Sequence, residues 1–87
     1  MLFRSRVVQA IEECARLGVK AGVYSSREMW RRAGGLRVLE GVPIWVADYN
    51  GEEDLSVQGF GGGTIVGHQY QGSPIDLSVF GLSALAA

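Results

Sequence analysis

Cysteine occurs once in these 87 residues, at Cys14, which excludes an internal disulfide and a cysteine-built zinc cage. No apolar run is long enough to span a bilayer, so no membrane association is expected, and no low-complexity tract interrupts the chain. The opening MLFRSRVVQA is basic but lacks the continuous apolar core of a secretory signal, so no address is visible and the compartment stays open. Histidine also occurs once, at His68, without a Cys, Asp or second His at ligand spacing; a satisfied core histidine is expected there, with no metal and no other cofactor. Lys and Arg are absent beyond residue 40.

What is present suits one small folded unit. A chain of this length buries about 60 to 65% of its unfolded surface, and an apolar content of 47% with 20% charged residues is that of a globular protein. Residues 1–40 hold all eight basic residues against four glutamates, a net charge of +4, whereas residues 41–87 hold five acids and no base, a net charge of −5. The basic residues fall at helical spacings among acids and lack interleaved exposed aromatics, which argues for a solvated helix face and against nucleic acid. An uncompensated acidic half disfavours phosphate and suits a neutral polar ligand, a sugar better than a nucleotide.

Periodicity orders the chain as alternating helices and strands. Apolar spacing predicts a helix over residues 5–17, with Cys14 buried on a stripe with Val7, Val8, Ile11 and Ala15, and Gly18 as its stop. VKAGVY follows as a strand, then a helix capped by Ser25 or Ser26 and stopped at Gly34 and Gly35. VPIWVADY, TIVGHQYQ and PIDLSVF read as further strands, with an acidic loop or short helix through EEDLS after the first of them. The pattern predicts an α/β fold of parallel βα units, the last connections shortened.

Each predicted strand ends in something polar or aromatic: Tyr24 with Ser25, Asp48 with Tyr49 and Asn50, Gln69 with Tyr70, and Asp76. Four such ends converge on one rim, and in a barrel of parallel strands that rim carries the chemistry. Alternation puts Ile44, Val46 and Asp48 on one face and Trp45, Ala47 and Tyr49 on the other. The branched pair suits packing against helices, so Tyr49 is expected to face inward, with Asp48 second to it. In TIVGHQYQ, His68 pairs with Tyr70 and Gln69 stands opposite; which side lines an interior is left open.

AGVYSSREMW, PIWVADYNG, GHQYQGS and PIDLSVF, in that order and spacing, resemble the last four strands of glycoside hydrolase family 25, the lysozyme-type muramidases with a (β/α)8-like barrel. The likeness covers most of residues 15–80. Gly22, Tyr24 and Ser25 match a Gly-x-Tyr-Ser strand; Trp45, Ala47 and Tyr49 a Trp-x-Ala-x-Tyr strand; Gln69 and Tyr70 a Trp-Gln-Tyr strand; Asp76 the closing Asp. The resemblance implies a partial TIM-barrel-like fold, an active-site carboxylate at Asp76, and sugar contacts from Tyr24, Trp45, Tyr49, Gln69, Tyr70 and, less directly, Asp48. Trp45 and Tyr49 would form part of an aromatic wall, with the chain released into a rim loop at Gly51.

Two departures stand out. His68 occupies the family's usual tryptophan position, which would remove a stacking surface. The family's principal acid lies in an Asp-x-Glu motif on an earlier strand, and this sequence holds no such motif, whereas a glycosidase needs two carboxyl groups flanking the bond. Residues 1–18 would correspond to the helix after that motif. The chain then reads as the C-terminal half of a muramidase cutting the β-1,4 bond after N-acetylmuramic acid, inactive by itself; the alternative is a noncatalytic half-barrel that binds glycan or assembles with another half. Either way its expected partners are peptidoglycan or a related glycan, and an N-terminal half or a second copy. Other chemistries fare poorly: GFGGGT fits no phosphate loop, the serines lack a nucleophile elbow, and the adjacent Glu52, Glu53 and Asp54 splay apart.

Overall fold

Gly18, at φ 82°, breaks the first helical pattern, and α1 (Leu2–Arg16) ends just before it. The computed structural model describes the backbone of residues 2–81 and the side chains of residues 6–81. Five elements follow α1: β1 (Val23–Ser25), α2 (Arg27–Arg32), β2 (Pro43–Ala47), β3 (Thr64–Gln71) and β4 (Leu77–Phe80). Ser26 is the N-cap of α2, its hydroxyl accepting from the Met29 amide at 3.1 Å, while Ser25 completes β1. On α2, Glu28 pairs with Arg31 and Arg32, and on α1 Glu13 pairs with Arg16. These exposed pairs form solvated helix faces.

The strands form one sheet in the order β1-β2-β3-β4. β1 runs parallel to β2 and β2 parallel to β3, but β3 and β4 are antiparallel, which corrects the expectation of a wholly parallel series. The cause is chain length. A parallel crossover needs a dozen or more residues, and residues 72–76 allow only a reversal. Asp76 therefore precedes its strand rather than ending it. Because β4 is reversed, its start still lies at the rim where β1, β2 and β3 end, with Leu77 opposite Gln71. No helix covers β3's crossover either; residues 48–63 run as an irregular segment that inserts Val57 and Phe60 into the core.

That core lies on one face of the sheet. Ile44 and Val46 are fully buried there with Leu39, joined by Trp30, Val57 and Phe60, and flanked by Val7 and Ile11 of α1. Each buried aliphatic side chain contributes about 1.5–3 kcal/mol by leaving water. The Trp30 indole N–H donates to the Leu36 carbonyl at 2.9 Å, tying the α2 exit to the core. Cys14 is half-buried in the groove between α1 and β1, and Ala15 is exposed, so the α1 stripe is shallower than its spacing suggests. Among the described residues the sheet stays open: β1 and β4 each pair on one side only. No described helix is long and apolar enough to cross a membrane.

Candidate functional site

The opposite face of the sheet carries a row of rings. Register places Tyr24 beside Trp45 and Trp45 beside Gly67, with Phe80 across from Gly67. Tyr24 and Trp45 stack obliquely with centroids 4.4 Å apart, and Trp45 meets Phe80 at 5.2 Å. A Cβ at position 67 would run into the Phe80 ring, so glycine is what lets the row close over β3. The Trp45 indole donates to Ser78 Oγ at 3.2 Å, which fixes its tilt from β4.

Toward the rim this face turns polar. The Tyr24 hydroxyl donates to Gln69 Oε1, bridging β1 to β3 across Ala47. Partial burial, then a hydrogen bond and charge interaction with Tyr49, and lastly the negative charge of Asp76, push the Tyr24 phenol above its ordinary value. Tyr24, Tyr49, Gln69 and Asp76 lie toward one end of the sheet, on or just beyond three strand ends and just before the start of the fourth.

Tyr49 lies two residues past the end of β2 and is 62% exposed. It stands between two depressions. One, of about 500 Å³, is lined by Tyr24, Ser25, Arg27, Ala47 and Asp48; the other, of about 460 Å³, by Asn50, Gly51, Tyr70, Gln71 and Gly72. A Cβ at Gly72 would come within 2.8 Å of the Tyr49 ring, so the absent side chain there makes the ring's seat.

The remaining candidates divide between the faces. Asp48 is on the helix side: its carboxylate takes Arg27 Nη2 at 3.3 Å, and it reaches the first depression from behind Tyr49. Gln69 faces the aromatic row, whereas His68 and Tyr70 lie on the other side, with ring centroids 6.2 Å apart. Tyr70 is the extra residue of a bulge between Gln69 and Gln71, and it reaches the rim only beside Tyr49. Gln69 and Tyr70 are therefore not brought together.

His68 is fully buried beneath the loop after β2, where its Nδ1 and Nε2 each lie 2.7 Å from a backbone carbonyl oxygen, of Asp54 and Asp48 respectively. A satisfied core histidine was expected, and this one has two partners. Its side chain lies on the face opposite the aromatic row, level with Val46.

Three residues missed in the sequence belong to this arrangement. Arg27 holds Asp48 and also donates to Gln58. Ser78 and Phe80 complete the open face, and their alternation with Leu77 and Val79 was the available signal. Among the described residues no group of three His, Cys, Asp or Glu could hold a metal ion.

Comparison with known proteins gives three Dictyostelium discoideum relatives. The chain is 39% identical over 77 residues to "Probable GH family 25 lysozyme 3", covering 84% of this chain and 16% of that protein. It is 35% identical over 86 residues to "Counting factor 50" (86% of this chain, 28% of that protein) and 34% identical over 91 residues to "Counting factor 45-1" (93% and 31%). The chain thus spans between 16% and 31% of the length of these curated relatives. No family profile and no solved structure matches it.

Proposed function

We propose that this chain supplies the C-terminal part of a glycoside hydrolase family 25-like muramidase barrel, contributing one wall and one carboxylate of a peptidoglycan cleft. The observation that carries the reading is the placing of Tyr24, Tyr49, Gln69 and Asp76 toward one sheet end beside an aromatic row, with Tyr24 bonded to Gln69, in a chain 39% identical over 77 residues to a protein named as a probable family 25 lysozyme. Rings that present a flat apolar face beside hydrogen-bonding tips suit a sugar, whose faces are apolar and whose edges are hydroxyls.

In the hydrolysis, Asp76 supplies negative charge opposite the developing oxocarbenium ion, and the principal proton donor comes from an Asp-x-Glu motif that this sequence does not hold. Tyr24, fixed by Gln69, orients the sugar edge. The sheet edges at β1 and β4, each paired on one side only among the described residues, and the aromatic face are where the rest of the barrel docks.

The test is reconstitution: the purified chain, an N-terminal half carrying the Asp-x-Glu motif, and their mixture are assayed for cell-wall clearing. Activity only in the mixture supports the reading. Glycan binding by the chain alone, with no activity in any mixture, would favour the second reading, a noncatalytic glycan-binding half-barrel, which the absent motif also suits.

A further inference from the structure

His68 has two hydrogen-bond partners and both are acceptors. Carbonyl oxygens cannot donate, so a neutral imidazole satisfies one of them and turns a lone pair toward the other. Only the doubly protonated ring donates to both. Buried polar contacts of this kind are costly when one side is left unmatched.

The two carbonyls belong to the two ends of one short segment. Asp48 and Asp54 bound the stretch that carries Tyr49, Asn50 and Gly51, and the same stretch is held to β3 by Asp48 N–H to the Gln69 carbonyl at 3.1 Å and Gly51 N–H to the Tyr70 carbonyl at 3.0 Å. The ring is therefore a strut from β3 to both ends of the loop. The two residues whose carbonyls it meets are themselves anchored, the Asp48 carboxylate by Arg27 and the Asp54 carboxylate by Ser56 N–H, and the Tyr70 ring stands edge-on to the imidazole. On the neighbouring strands its register partners are apolar, Val46 of β2 and Val79 of β4.

We propose that His68 is a positioning residue that sets the loop 48–54, and through it the Tyr49 ring, by tying its two ring nitrogens to the backbone carbonyls at the loop's two ends. The consequence for glycan rests on the cleft reading above; the coupling of ring to loop does not. Loss of either contact releases one end of the loop and loosens the seat of Tyr49.

Because this histidine is the only one in the chain, selective ¹⁵N labelling of histidine reports this ring alone. In the full chain, His68→Gln, which can reach only one of the two carbonyls, should shift the Tyr49 ring resonances and speed amide exchange across residues 48–54 by about tenfold, the equivalent of one lost hydrogen bond. Unchanged exchange and unchanged Tyr49 resonances in that variant overturn the proposal. On the unmutated chain, a ring N–H that exchanges as fast as that of an exposed imidazole overturns it as well, even if the variant fails to fold. Loop and Tyr49 ring moving together in the variant, while neither the chain nor its mixture with an N-terminal half binds a muropeptide, sustains the strut and overturns the glycan reading instead.

Discussion

Gly72→Ala should cost more function than stability. An added Cβ would sit 2.8, 2.9 and 3.1 Å from three atoms of the Tyr49 ring, where carbon atoms in contact prefer about 3.5–4.0 Å, so the ring must retreat by about 1 Å. Gly72 is not among the glycines with positive φ, so the backbone accepts alanine. The ring is more than half exposed and can swing outward, which limits the folding cost to about 0.5–1 kcal/mol, the range of a surface rearrangement. The displaced ring, however, is the wall between the two depressions, and a misplacement of that size should weaken binding of a muropeptide by about tenfold. Denaturant melts and calorimetric titration of the reconstituted barrel measure the two effects. The control is the pair of substitutions together: with Tyr49→Ala in place, Gly72→Ala should become nearly silent in both assays. An undiminished effect in that background would refute the collision, and with it the seat assigned to Tyr49.

In a reconstituted barrel, Asp76→Asn should fold normally and lower cell-wall clearing by at least about tenfold; wild-type turnover would remove Asp76 from the chemistry. Tyr49→Ala should weaken glycan binding well beyond Asp48→Ala, because Asp48 is turned toward Arg27 on the helix side; titrations giving the reverse order would invert that assignment. Ile44→Ala removes a fully buried side chain and should destabilise the chain by about 2–5 kcal/mol in urea melts, whereas a cost below about 1 kcal/mol would contradict its place in the core. The Tyr24 phenol holds its proton above the ordinary tyrosine range, so the stability linked to it is whole below about pH 10 and declines as pH rises through the raised value; Tyr24→Phe should flatten that alkaline limb of a stability-against-pH curve.

The sequence was legible where local chemistry decides. Gly18 stopped α1, a serine capped α2, and strict alternation in PIWVA separated Ile44 and Val46 from Trp45 and Ala47 as the structure does. Alternation failed to choose a side for TIVGHQYQ because both sides of that strand carry polar residues. The choice came from partners distant in sequence: Tyr24 for Gln69, and the carbonyls of Asp48 and Asp54 for His68. VKAGVY and PIDLSVF were read as longer strands than they are, since β1 begins only at Val23 and β4 only at Leu77. Pro74 has no N–H to give a ladder, and that signal was available. The direction of β4 was legible too, in the few residues between Gln71 and Leu77, but a repeating strand-helix pattern outweighed a count of connecting residues.

The reversal of β4 also sets an order of folding. Pairing β3 with β4 closes a loop of only residues 72–76, while pairing β2 with β3 must first close residues 48–63 and pairing β1 with β2 must carry α2 across. Loop-closure entropy favours the C-terminal hairpin as the earliest tertiary contact, with β2 and then β1 adding to it. On a ribosome β1 and β2 emerge before the hairpin to which they add. These four strands would condense from β4 back toward β1. Mutations in β3 and β4 should therefore slow folding, and those in β1 should mainly speed unfolding.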